Sequence, residues 1–167
     1  MGTTKSGRYL STKGSSRRVS EFALVHSTEG GFRWRNRPEK GKKRIRLDNG
    51  GHGQKGMDLL DKYGIEYNIV KTYSNGVRVG NVPDHGHKAK RSGIAQSWFP
   101  ETWGNRDIVR AGEHVAGLRK NRNVPDGTKR YGVYKGVRVG VIRTGGKIAT
   151  IFPDSYQNAT IRRRKKS

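Results

Sequence analysis

Three of the five histidines sit in polar, glycine-rich sequence. His52 lies in Asn49-Gly50-Gly51-His52-Gly53-Gln54, and His85 and His87 lie in Asp84-His85-Gly86-His87-Lys88-Ala89-Lys90. Imidazole titrates near neutrality, so one histidine can take a proton while another gives one. Cleavage of RNA without a metal asks for that division of labour. A base takes the proton of the 2′-hydroxyl, an acid protonates the leaving 5′-oxygen, and a cation steadies the crowded phosphorane. Environment can push two histidine pKa values apart and so divide the first two roles. Lys88 or Lys90 would supply the charge, and one well-placed donor is often worth about 3 kcal/mol. A loop of solvated surface histidines fits His85 and His87 equally well. His26 closes an apolar run and reads as structural, and His114, beside Glu113, reads as a helix-boundary residue.

Other chemistries fit poorly. Asp84, His85 and His87 resemble part of a metal site, yet no second ligand pair follows at the spacing a zinc or HNH centre needs. No Asp/Glu cluster suits two Mg²⁺ ions. Neither a Ser-His-Asp signature nor a P-loop is present. The sequence predicts no metal and no cofactor.

The 167 residues suffice for one hydrophobic core, and 24 glycines with only 31% hydrophobic residues predict many turns and hairpins. The 36 Lys+Arg against 13 Asp+Glu give a net charge of +23. A field of that sign concentrates polyanions, of which nucleic acid is the commonest. An acidic protein is a second partner class. A membrane surface would require a basic amphipathic helix, which is not apparent. With no cysteine, disulfides and thiolate metal sites are excluded. There is no run of 18 apolar residues and no signal-peptide core, so any export is expected to use a segment outside this sequence.

The elements that must hold these residues can be read in order. Residues 1–20 are small, polar and basic, as in a flexible arm, and Glu21 to His26 predicts an edge strand. Phe32 and Trp34 alternate with Arg33, Arg35 and Arg37, a pattern suited to stacking on bases and equally to a solvated loop. The glycines around His52 allow positive φ and close backbone approach. A helix is predicted from Gln54 to Tyr63, with Met57 and Leu60 inward and Gly64 as terminator. Ile65, Tyr67 and Ile69 then alternate toward Ser74-Asn75-Gly76, a hairpin signal, and VRVGNV returns. From Pro83 the chain has no strand or helix period and reads as a loop on a rigid support. Trp98, Phe99 and Trp103 anchor its end. Ile108, Ala111, Val115 and Leu118 form the stripe of a helix over Asn105 to Lys120, capped by Asn105 or Thr102. The block from Tyr131 to Asp154 predicts two strands joined at Thr144-Gly145-Gly146, with Ile148, Thr150 and Phe152 on one face. Two copies of GVRVG, at 76–80 and 136–140, are expected in similar hairpins of one sheet. The fold class is α+β, one or two helices packed on an antiparallel sheet.

The order Gly-Gly-His, hairpin, His/Lys loop, Ser-Trp-Phe-Pro-x-x-Trp, helix and Thr-x-Phe-Pro strand resembles the bacterial EndoU nuclease domain. That domain is the C-terminal toxin module of many polymorphic toxins, in the barnase/EndoU-like ribonuclease group. The resemblance is carried by 63–154 and does not obviously reach 1–45. It implies a metal-independent RNA endonuclease leaving 2′,3′-cyclic phosphate, with His52, His85, Lys90 and Thr150 catalytic. His87, Lys88 and His26 are the alternatives; the long separation of His52 from His85 leaves His26 pairing with His52 open. Phe152, Arg91 and Ser92 are implied substrate contacts. Family members often carry tyrosine where Phe152 stands, so a hydroxyl is missing here. On this reading 1–45 is a basic, partly flexible arm, 46–156 the nuclease domain and 157–167 a basic disordered tail. The implied setting is a secreted or delivered effector acting in a target cell's cytoplasm, with an acidic immunity protein as partner.

Overall fold

The computed structural model describes residues 18–37 and 42–157. The expected arm up to residue 17 and the tail from 158 lie outside the described residues. The described chain is α+β, with three α-helices and three small antiparallel sheets. Helix α1 spans Glu21–Thr28, followed by the hairpin β1 (Gly31–Arg37) and β2 (Lys42–Asn49) and by α2 (Gln54–Lys62). A three-stranded sheet holds β3 (Asn68–Thr72), β4 (Arg78–Asn81) and β5 (Gln96–Trp98), with β4 central. Helix α3 (Asn105–Gly117) leads to the last sheet, β6 (Arg130–Tyr134), β7 (Val137–Thr144) and β8 (Lys147–Pro153) in that order. No helix among the described residues is long and apolar enough to cross a membrane.

Two apolar clusters make the interior where one core was expected. In the larger, Ile108, Ala111 and Val115 of α3 pack on Val137, Val139, Val141 and Ile151 of the last sheet. In the smaller, Met57 and Leu60 of α2 meet Leu47, Ile65, Val82 and Trp98. Consecutive Trp98 and Phe99, both wholly buried, belong one to each cluster. Phe99 stacks on Trp103, with centroids 5.2 Å apart. The aromatic anchor predicted at the end of the loop therefore ties the two halves together.

Several expectations change. Glu21 to His26 forms a helix, not an edge strand: Ser20 caps it, its Oγ accepting from Ala23 N at 3.1 Å. The helix then docks by Ala23, Ser27 and Thr28, which are buried. Helix α3 stops at Gly117, where Leu118 turns to extended backbone, and its N-cap is Gly104 in place of Asn105 or Thr102. Asp107 Oδ2 accepts from Gly104 N there at 3.1 Å. The final block holds three strands, because Lys135 (φ 49) and Gly136 (φ 77) turn the chain once more. The two GVRVG copies consequently feed different sheets.

Ile148, Thr150 and Phe152 do not share one face. Ile142 pairs with Thr150 while its neighbour Arg143 pairs with Ile148, so β8 carries an extra residue at Ala149. Such a bulge re-aims the side chains beyond it. Ile148 joins Ile151 in the core, and Thr150 is left to approach α1.

Candidate active site

Gly50 and Gly51 explain how His52 is placed. Both adopt left-handed backbone (φ 64 and 75), and a Cβ on Gly50 would fall 2.0 Å from the His26 carbonyl oxygen. Only glycine allows that approach. The last carbonyls of a helix have no partner within it, and this turn supplies partners for α1. Gly51, His52 and Gly53 donate their backbone N–H groups to His26, Ser27 and Thr28, at 3.1, 2.6 and 3.1 Å. The turn bearing His52 is thus joined to the helix turn bearing His26. The positive φ predicted at this motif is observed, and its use is to bring two histidines together.

The His52 ring is buried, with Nδ1 2.8 Å from the Ser97 carbonyl of β5. A carbonyl only accepts, so Nδ1 carries the proton and Nε2 is left as acceptor. Ser97 itself is tied to β8, its Oγ donating to the Pro153 carbonyl at 2.8 Å. Burial, and after it the Lys90 charge, lowers the His52 pKa from 6.5 to about 3. His26 is half-buried. Its Nε2 lies 3.3 Å from Thr150 Oγ1, joining residues 124 apart in sequence. Burial and then Lys90 lower its pKa as well, while a hydrogen bond with the Asn49 side chain acts against them.

Loop 82–95 is a closed structure. Val82 N–H donates to the Lys90 carbonyl at 2.9 Å, Gly86 N–H to Leu47 at 2.8 Å, and Arg91 Nε to the His85 carbonyl at 2.7 Å. A 3-10 turn covers Lys88–Lys90. These bonds turn Lys90 inward, where burial and then Lys129 lower its pKa from 10.5 to about 8. The Lys90 charge in turn lowers the pKa of His26, His52 and His85, so it stands among all three. Among the described residues no group of three His, Asp or Glu is arranged to hold a metal ion.

His85 is in the same cluster but fully enclosed. Its Nδ1 accepts the His87 backbone N–H at 2.8 Å, and Nε2 is buried with no hydrogen-bond partner. Burial, then Lys90, brings its pKa to about 4. His87, Lys88, Arg91 and Ser92 are exposed on the outside of the loop. His114 is elsewhere, against Tyr134.

Phe152 borders the cluster, its centroid 6.0 Å from that of His52. It lies over Gly140 of β7, where a Cβ would come within 2.4 Å of the ring. Tyr131 stands edge-on to it at 6.0 Å, held by the Arg138 guanidinium 4.2 Å from its centroid. Arg138 is fixed in turn by Asp154 at 2.7 Å. Sequence reading passed over Asn49, Ser97, Lys129 and Tyr131. Two of them stood in a named motif: Asn49 opens the glycine motif and Ser97 opens Ser-Trp-Phe-Pro.

The arrangement is therefore two or three neutral imidazoles around a lysine charged at pH 7, beside an aromatic platform. It provides proton acceptors and a cation, the groups that transfer at a phosphate requires. Comparison with curated proteins and with solved structures gives no significant match. Residues 26–155, which begin at His26 and take in every element from β1 to β8, match the family described as Bacterial EndoU nuclease. A match over so much of the chain, enclosing this histidine–lysine cluster, places the protein in the bacterial EndoU nuclease family.

Proposed function

We propose that this nuclease is a metal-independent endoribonuclease that uses the substrate's own 2′-hydroxyl and leaves 2′,3′-cyclic phosphate ends. The convergence of His26, His52 and Lys90 with Thr150 carries the reading. His52, neutral at pH 7 with Nε2 as acceptor, takes the 2′-hydroxyl proton as the O2′–P bond forms. Lys90, with its pKa of about 8, is still protonated and faces the phosphorane charge. His26 returns a proton to O5′ as the P–O5′ bond breaks, and Thr150 orients its ring. An incoming phosphate raises the pKa values of neighbouring imidazoles by opposite charge. It thereby charges the acid only when substrate is present.

His26 is preferred to His85 as the second histidine because it is half-open to solvent. The enclosed His85 is assigned to holding the loop, through the His87 N–H on its Nδ1 and the Arg91 side chain on its carbonyl. Phe152 offers a face for a base. The +23 charge supports capture of RNA, with binding that weakens steeply as salt rises. It also suits an acidic immunity protein as partner, while use as a delivered toxin against competing bacteria is proposed from the family alone. The test is purified protein on RNA and on duplex DNA, with and without EDTA. RNA cut in EDTA with cyclic-phosphate ends is the expected result. Binding without cleavage, or cleavage that EDTA silences, overturns the proposal.

A further inference from the structure

Lys129, just before β6, lies at the rim of the histidine–lysine cluster and takes no part in the proposed cleavage. Tyr131 of β6 and Phe152 of β8 are both paired with Gly140 of the central strand β7. Paired residues on neighbouring strands share a face, and successive residues along a strand alternate. Val139 and Val141, on either side of Gly140, are wholly buried in the core with α3. Tyr131 and Phe152 therefore occupy the other face of the sheet, turned away from that core. Phe152 has two functional neighbours there. Its centroid is 6.0 Å from that of His52 and 6.0 Å from the Lys129 ammonium. The aromatic platform thus borders both the reacting cluster and a second cation, whose charge is also felt at Lys90.

The cations of β6 and β7 themselves are already engaged. Arg138 is bridged to Asp154 at 2.7 Å and lies over the Tyr131 ring. Arg130 donates to the Asn121 side chain at 3.1 Å and to the Lys120 carbonyl at 2.7 Å. Arg143 is buried, with its guanidinium on the carbonyls of Asn121 and Ala116. Lys129 differs from all three. It is exposed, and among the described residues no carboxylate bridges it. A lysine binds phosphate as a point charge on a long flexible stem. An ammonium beside an aromatic face is the pairing that holds single-stranded nucleic acid, phosphate on the cation and base on the ring.

We infer that Lys129 binds a second phosphate of the strand, next to the scissile one, while the base of the intervening nucleotide lies against Phe152. The inference rests on the endoribonuclease reading for the identity of the reacting phosphate at His52 and Lys90. Lys129 is then a binding residue and not a catalytic one. It anchors the strand one nucleotide away from the bond that breaks. Strands carrying a phosphate beside the scissile group bind more tightly than a dinucleotide that carries the scissile group alone.

Binding can be tested apart from cleavage. Dinucleotides carrying 2′-O-methyl groups resist 2′-hydroxyl attack, so their affinity does not depend on catalysis. Three are compared on the full chain at low salt: one with the internal phosphate alone, and two with a further phosphate at the 5′ or the 3′ end. One of the added phosphates should tighten binding about 3- to 10-fold, the scale of one partly exposed charge-assisted contact. Lys129→Gln should remove that gain and leave affinity for the dinucleotide without a terminal phosphate nearly unchanged. Lys129→Arg should keep the gain. Lys135→Gln removes the same charge from a lysine bridged to Asp107 at 3.2 Å, and should keep it too. Circular dichroism checks that each variant folds. The inference is overturned if neither terminal phosphate tightens binding to wild type, or if the gain survives in Lys129→Gln. Equal loss in Lys135→Gln also overturns it, since the effect would then belong to the overall field. RNA cleavage is read in parallel. A Lys129-dependent gain in a protein that cuts no RNA would uphold the phosphate site and reject the endoribonuclease proposal. Cleavage without such a gain would reject the phosphate site alone.

Discussion

Replacing Lys90 with methionine is expected to make the protein more stable while abolishing cleavage. Lys90 is largely buried, its charge acts on His26, His52 and His85, and burial and then Lys129 bring its pKa from 10.5 to about 8. Each pKa unit corresponds to about 1.4 kcal/mol, so holding the ammonium in this site costs the fold up to about 3 kcal/mol. At pH 7, below both values, the group is protonated in the folded and the unfolded chain and the cost is present in full. As pH rises through 8 the folded protein loses the proton first, and stability climbs until the unfolded chain follows near 10.5. Methionine keeps the unbranched stem and removes the charge. The expected gain at pH 7 is about 1–3 kcal/mol, or roughly 2–10 °C in Tm for a chain of this size. Calorimetry of both proteins at pH 7 and pH 10 checks it, and the difference between them isolates Lys90 from other groups that titrate. The gap should nearly close at pH 10. A variant that is less stable at pH 7, or a gap unaffected by pH, would refute the electrostatic account. Sites built for activity commonly carry such a stability cost.

His52 and His85 make a second pH dependence of the opposite range. Burial, then Lys90, holds them at about 3 and about 4, so between pH 6.5 and 4.5 the unfolded chain binds protons that the folded one does not. Stability should fall by roughly 3–4 kcal/mol across that interval; a flat urea midpoint would contradict it. Gly50→Ala puts a methyl against the His26 carbonyl at a left-handed position. A loss of about 2 kcal/mol or more and a drop in cleavage are expected, measured by urea melts and RNA cleavage. His26→Ala and His52→Ala should each lower kcat at least ~100-fold and leave salt-sensitive RNA binding in place. His87→Ala, at an exposed position, should stay close to wild type; a silent His26→Ala with a lethal His87→Ala would move the acid to the outside of the loop.

Local chemistry in the sequence was enough for the elements whose stops and periods are short-range. Helix α2 stops at Lys62, with the left-handed Gly64 (φ 68) just beyond it, and the hairpin turn at Gly76 (φ 97) lies at the predicted Asn-Gly. Of the predicted stripe, Ile108, Ala111 and Val115 are buried in α3 as its period requires, while Leu118 lies past the helix end and is partly exposed. The glycines flanking His52 were legible too, because positive φ is a property of the residue itself. His52, Lys90 and Thr150 were singled out by chain order and family likeness, and the fold brings them into one cluster.

Long-range contacts decided the rest. Glu21 to His26 is too short to show a period, and its helix is set by the Ser20 cap and by docking on β8, where Ser27 Oγ accepts from Ile151 N at 2.9 Å. That docking brings His26 to Thr150. A bulge at Ala149, invisible in an alternation pattern, gives Thr150 its direction. Residue type could not separate His85 from His87, two positions apart in one glycine-rich loop. Folding buries the first completely and leaves the second in solvent. Residue types alone set which groups were available: imidazoles, a lysine, and a charge that draws polyanions. Which of them share a dry pocket, and therefore which titrate far from their ordinary range, depends on burial, and burial exists only once distant strands and helices have met.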